Sequence, residues 1–324
     1  MDIGNVALKN NYILGPMAGV TDTAFRLICS ELGAGLVCAE MVSAKAVSYH
    51  NKNTIKMLET EKTEHPVSMQ LFGSEPDILG EVTASLQDLD FEIIDFNMGC
   101  PVPKVVGNGE GSALMKNPRL AGDILKAMVK NSPQKPVTVK IRKGWDAESV
   151  NAAEIAKIAE DAGVSAIAVH ARTRSQYYSG EADWELIYEA AQRLSIPVYG
   201  NGDLFDAVTA VRRLHDGPVA GLVIARGALG NPWLFGQIQD LLAGREMRKP
   251  DLATRMQTAL RHLDMQLSWK PERVAVAEMR KHISWYLHGV RGAASIRNQV
   301  NRMESTQEVR ELLSDLALHG EETW

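Results

Sequence analysis

A cysteine stands in the run Asn97-Met98-Gly99-Cys100-Pro101, after an apolar segment at 91–96 that reads as a buried strand. The proline behind it stops regular structure, and the glycine-rich residues 107–111 read as slack in the loop that carries the thiol. Such a thiol can do proton or nucleophile chemistry, or it can pack as a small hydrophobe. Position alone leaves both open. Other polar residues also end apolar runs: Glu40, Gln70, Asn97, Lys140, His170, Asn201 and Arg226, with Met17 ending the first. Polar groups there are costly to bury unless they face a ligand or find partners. A lone His170 reads best as a satisfied structural group, but seven polar ends in register point to a site.

Two stretches have the makings of a phosphate site. Asn201-Gly202-Asp203 and Ala225-Arg226-Gly227-Ala228 set small residues beside a guanidinium. Backbone N–H groups could then approach a phosphate closely while the arginine neutralises it. Lys140 and Gln70, a cation and an amide, suit the pyrimidine edge of a flavin, where negative charge accumulates on reduction.

The elements that must position these residues follow a cadence. Candidate strands fall at 12–17, 36–40, 67–72, 92–97, 137–142, 166–171, 197–201 and 221–226, with amphipathic stretches between them. The stretch at 151–162 ends at Gly163, a good helix stop. That at 205–215 follows Asp203, a plausible cap. Eight strand–helix units predict a closed (β/α)8 TIM barrel rather than an open doubly wound sheet, whose nucleotide fingerprint is missing after the first strand. In such a barrel the strand ends share one face, and the loops after strands seven and eight hold phosphate. Phosphate, amide and cation together predict FMN across the barrel mouth. Residues 252–318 read as helical throughout, entered through 242–245 and Pro250, with a glycine turn at 289–292. The expected organisation is a catalytic barrel over 1–242 and a small all-helical C-terminal domain over 243–324.

Composition narrows the classes. The chain has 324 residues, 45% hydrophobic and 23% charged, an ordinary globular balance. Cys29, Cys38 and Cys100 form no disulfide framework, the first residues lack signal-peptide character, and no apolar run spans a bilayer. A reduced, cytoplasmic protein without membrane contact is expected. His282 and His288 lack metal-ligand spacing and no H-E-x-x-H occurs, so no metal is expected. The net charge of −5 is uneven, because residues 245–305 hold twelve Lys and Arg against six Asp and Glu. This surplus points to a polyanion partner or to a solvated helical face.

Taken together, the motifs resemble those of a known family. They are residues 16–22 (PMAGVTD) with Phe25-Arg26, then 97–101 with Lys104 and 111–114, Lys140-Ile141-Arg142 and His170-Ala171-Arg172-Thr173. Asn201-Gly202-Asp203, Arg226-Gly227, and Arg280-Lys281-His282 with Trp285-Tyr286 complete the set. The chain is similar to the tRNA-dihydrouridine synthases, closest to the bacterial B-type branch. The resemblance implies FMN held by Pro16, Met17, Ala18, Gln70, Lys140, His170, Asn201, Gly202, Asp203, Ala225 and Arg226. One departure is visible: the family commonly has glycine where Ala225 stands, so a methyl intrudes beside the phosphate loop.

The resemblance further implies that NADPH (or NADH) reduces the flavin, which then passes hydride to C6 of a uracil in tRNA, and that Cys100 protonates C5. A thiol suits that role, since its unperturbed pKa of about 8.5 keeps it protonated at neutral pH. Asn97, Lys140 and Arg142 would hydrogen-bond the uracil edge, while Lys104, Arg280 and Lys281 would meet tRNA. Arg291, Arg297 and Arg302 extend the basic stripe, whereas Trp285 and Tyr286 read as helix core first. Trp145, Tyr177 and Tyr178 border the substrate or pack loops. Two rivals remain: a dihydroorotate dehydrogenase-like enzyme, which has no use for the basic tail, and an RNA-binding barrel without catalysis, which has no use for Cys100, Lys140 and His170.

Overall fold

A computed structural model describes residues 2–322; Met1, Thr323 and Trp324, at the ends of the two expected regions, lie outside the described residues. Eight parallel strands form the barrel: β1 (Tyr12–Leu14), β2 (Leu36–Cys38), β3 (Val67–Phe72), β4 (Ile93–Met98), β5 (Val137–Arg142), β6 (Ala166–His170), β7 (Val198–Asn201) and β8 (Gly221–Ile224). Each pairs with the next, and β8 closes on β1 through Leu222–Tyr12 and Ile224–Leu14. The outer ring is α1 (Thr23–Glu31), α2 (Pro76–Ser85), α3 (Pro118–Lys130), α4 (Ala152–Asp161), α5 (Trp184–Arg193), α6 (Ala207–His215) and α7 (Leu234–Leu242), with two short helices between β2 and β3.

Strands one, two and eight end earlier than the sequence reading placed them, so Met17, Glu40 and Arg226 sit in the loops beyond. The expected cap at Asp203 is also corrected. Asp206 caps α6, its carboxylate accepting the Thr209 N–H at 2.7 Å. Asp203 instead takes a left-handed φ of +52° and turns its carboxylate to two arginines. A feature absent from the sequence reading closes the opposite end of the barrel. Asp2–Ile3 and Val6–Ala7 form an antiparallel hairpin whose Ile3 packs on Ile13, Leu36, Ile93 and Tyr199.

Beyond α7 the chain forms α8 (Leu252–Trp269), α9 (Glu272–Tyr286), α10 (Ala293–Val300) and α11 (Thr306–His319). The buried Leu252, Met256, Ala259 and Leu263 of α8 recur at helical spacing and face Met279, Ile283, Tyr286 and Leu313 in a second core. Asp251 caps α8 just after Pro250, and Ser305 with Glu308 forms a capping box on α11. Helix α1 joins this bundle to the barrel. Its Phe25 stacks on His262 (5.8 Å) and leans on His282 (5.3 Å), while its cap Asp22 accepts from Lys270 Nζ at 2.6 Å.

Candidate active site

The loops past the strand ends surround one cavity of about 420 Å³. All eleven residues expected at the cofactor line it, together with Asn97, Cys100 and Arg142. Lys104, Arg280 and Lys281 do not. Lys104 is exposed on a short helix after the Cys100 loop. Arg280 donates to the Met303 carbonyl at 2.6 Å, and Lys281 donates to the carbonyl of Gly19, in the loop after β1. Tyr286 is fully buried core, as expected, and Trp285 packs edge-on against His282.

Hydrogen-bond logic assigns the protonation of His170. Asn201 Nδ2 donates to the Val223 carbonyl at 2.6 Å, so its Oδ1 faces the cavity side as an acceptor. There it lies 2.6 Å from His170 Nδ1 and 3.3 Å from Lys140 Nζ. His170 must then carry its proton on Nδ1, since Oδ1 cannot donate. Burial, with the nearby Lys140 and Arg142 charges, pushes the imidazole well below its ordinary pKa. The ring is neutral at pH 7, and its buried Nε2 is a lone-pair acceptor with no partner among the described residues. Lys140 is lowered to about 8, chiefly by burial and then by Arg142.

Arginines hold the loops. Arg142, 4% exposed, donates from Nε to the Gly99 carbonyl (2.8 Å) and from Nη1 to those of Thr173 (2.8 Å) and Tyr177 (3.0 Å). It therefore ties the loop after β4 to the loop after β6. Arg172, to which sequence reasoning assigned no role, is 2% exposed and grips Asp203 with two bonds of 2.8 and 2.7 Å. Burial alone would raise the Asp203 carboxyl; the Arg172 bonds, the Ala182 N–H and Arg226 outweigh it and hold it below its ordinary value. Arg226 lies over the Tyr178 ring at 4.2 Å and the Phe205 ring at 5.2 Å. A Cβ on the adjacent Gly227 would fall 1.9 Å from the Leu204 carbonyl, so only glycine fits that turn.

Cys100 is half-buried. Burial raises its thiol, although the Arg142 and Lys140 charges and a backbone bond at Val102 oppose this, so it stays protonated at neutral pH. The loop is less slack than its glycines imply. Gly111 packs against Cys100, and Ser112 donates from both N (3.1 Å) and Oγ (2.8 Å) to the Cys100 carbonyl. Only Gly109, also at positive φ, faces open space. Trp145 lies between Lys116 and Arg174, a loop-packing role, whereas Tyr177 and Tyr178 line the cavity.

The model of the dihydrouridine synthase (Dus) family matches residues 13–320. The chain belongs to this family. A probable tRNA-dihydrouridine synthase of Rickettsia conorii is 40% identical over 97% of this chain and 95% of its own length. The tRNA-dihydrouridine synthase B of Pseudomonas aeruginosa is 40% identical over 94% and 92%. Among solved structures, histamine dehydrogenase from a Rhizobium species shares the barrel fold at TM-score 0.59 and 14% identity, over 82% of this chain and 50% of that longer one. As a dihydrouridine synthase family member the chain is an oxidoreductase, and the cavity at its strand ends is the place to seek the chemistry. No helix among the described residues is long and apolar enough to cross a membrane.

Proposed function

We propose that this protein reduces uridines of tRNA to dihydrouridine in the cytoplasm, with FMN as its flavin and NADPH as electron donor. The observation that carries the reading is the gathering of Cys100, Lys140, His170, Asn201 and Arg226 around one cavity, from motifs far apart in sequence. The donor set fits a flavin mononucleotide. Arg226 with the close turn at Gly227 would hold its phosphate, and Gln70 and Lys140 its pyrimidine edge. The buried acceptor His170 Nε2, without a partner among the described residues, could take a donor from a bound ligand. The methyl of Ala225 lines the cavity without closing it.

A bound flavin would supply hydride chemistry at C6 of the uracil ring. Cys100, kept protonated by burial, delivers a proton to C5. Lys140 stabilises the charge that develops on the carbonyl edge, with Asn97 beside it. Arg142, whose guanidinium burial brings to about 10, remains charged and holds the Gly99 carbonyl, so its part is to fix the Cys100 loop against the base. A base in folded tRNA must be extruded to reach this depth. Exposed Arg248, Lys249, Arg273 and Arg302 on the helical domain, with Lys104 beside the cavity mouth, meet backbone phosphates. Arg280 and Lys281 shape that footprint from within. The test is to map dihydrouridine position by position in tRNA from cells lacking this protein. Its loss at defined positions, restored by the purified yellow protein with NADPH, is the expected result; unchanged tRNA would overturn the reading.

A further inference from the structure

Asp95 is a buried carboxylate, 5% exposed, that the proposed chemistry does not use. Its neighbours in the barrel are in register: β3 sets Gln70 opposite Asp95, and β5 sets Thr138 on its other side. Thr138 Oγ1 donates to Asp95 Oδ1 at 2.6 Å, and Gln70 Nε2 donates to Asp95 Oδ2 at 2.6 Å. Gln70 Oε1 accepts from Asn97 Nδ2 at 2.7 Å. Asn97 Oδ1 then accepts the backbone N–H groups of Gly99 (3.1 Å) and Cys100 (2.9 Å). The row steps up from one layer of the barrel to the loop that carries the thiol.

We propose that Asp95 is a positioning residue for Cys100, acting through the amide orientations of Gln70 and Asn97. Backbone N–H groups only donate, so Asn97 must turn its oxygen to them and its NH2 to Gln70. Gln70 must in turn show its oxygen to Asn97 and its NH2 to residue 95. The chain is satisfied only if residue 95 offers an acceptor there, which a carboxylate always does. The other grips on the loop, from Arg142 on the Gly99 carbonyl, Ser112 on the Cys100 carbonyl and the Tyr177 hydroxyl on the Pro101 carbonyl, end on carbonyls that only accept and so cannot reverse in this way. Asp95 thus fixes the one contact whose polarity could reverse. A reversed Asn97 would point its NH2 at two N–H donors and release the turn before the thiol.

The inference rests on the reading of Cys100 as the proton donor, and its test separates the two. Full-length wild type, D95N and D95L are compared by the pH profile of iodoacetamide alkylation at Cys100, the half-exposed thiol, and by dihydrouridine formation on tRNA. The amide introduced by D95N can accept from Gln70 with its oxygen, and its NH2 can donate to the Thr138 hydroxyl. D95N therefore keeps the polarity and a profile near wild type. D95L removes the acceptor. Its profile shifts, and kcat falls roughly tenfold to a hundredfold, the cost of misplacing a reacting group by about 1 Å, with KM for tRNA little changed. Should D95L not fold, N97D and the isosteric double variant D95N/N97D replace it. N97D alone leaves an acceptor facing Gln70 from both sides. Adding D95N permits the Gln70 amide to reverse between the two, and the alkylation profile and melting temperature recover. A wild-type profile in D95L, equal damage in D95N and D95L, or no recovery in the double variant would overturn the inference. Wild-type protein inactive on tRNA would instead defeat the parent reading, leaving the alkylation comparison to judge Asp95.

Discussion

At the scale of single residues, the proposed chemistry divides between a thiol that must hold a proton and a lysine that must hold a charge. Cys100 sits above its ordinary pKa and Lys140 at about 8, so the lysine is the first of the two to lose its useful form as pH rises. Uridine reduction under saturating NADPH should therefore fall as pH climbs through about 8, below the range in which Cys100 ionises. A flat rate to higher pH would count against Lys140 as the stabilising cation. C100A should keep FMN and oxidise NADPH normally while dihydrouridine formation drops by roughly 10²–10⁴-fold, the usual worth of a positioned proton donor. Wild-type tRNA reduction by C100A would remove the acid assignment. Cys100, Lys140 and His170 were legible in sequence because each is a polar residue ending or following an apolar run. Arg172 was not. Its burial depends on Asp203, 31 positions away past the next strand, and no local pattern encodes that pairing.

Between residue and fold stand the loops and the helix that braces them. The Arg172–Asp203 pair carries the turn after β7. Removing the guanidinium in R172M leaves a half-buried carboxylate with lost bonds, a cost of about 2–4 kcal/mol at neutral pH. Asp203 titrates below its ordinary value, so this stabilisation is full above the unfolded pKa and is lost as pH falls through the folded one. The melting-temperature gap between wild type and R172M should narrow in strong acid, down to the part owed to the Arg172 bonds to the Ser179 and Gly180 carbonyls; a gap independent of pH would show that the pair with Asp203 is not the cause. Helix α9 meets two cavity loops at once, through Lys281 on Gly19 and through Gly230, where an added Cβ would lie 2.3 Å from the Trp285 carbonyl. G230A should push the loop after β8 away from α9, so flavin retention and melting temperature fall together; FMN affinity unchanged in a destabilised G230A would uncouple the helix from the site. The strand–helix cadence was legible since each unit repeats an apolar run long enough to show its period. The hairpin at Asp2–Ile3 and Val6–Ala7 escaped because two-residue strands have no period to read.

Across the whole molecule, the basic surplus of residues 245–305 is partly spent inside the protein, and charge counting cannot separate that part from the proposed tRNA footprint. Part of it fastens the helical bundle to the barrel. Arg261 pairs with Glu31, Lys270 with Asp22, and Lys281 with the Gly19 carbonyl. The Arg261–Glu31 pair is exposed, adds little stability and is screened by salt, whereas Lys270 and Asp22 pair in a mostly buried setting. Arg248, Lys249, Arg273 and Arg302 are exposed and are the cations proposed to meet the polyanion. Each phosphate contact releases condensed counterions, so affinity for tRNA should fall steeply and linearly on logarithmic axes as salt rises. The two populations then give different signatures. R302A or K249A should weaken tRNA binding and lower the salt slope by about one contact each. R261A should leave the slope unchanged, because its charge is already spent on Glu31. Filter-binding or fluorescence titrations from low to moderate salt read both quantities. Equal slope changes in R302A and R261A would mean that the bundle binds through its overall charge, and the proposed division between docking cations and binding cations would fall.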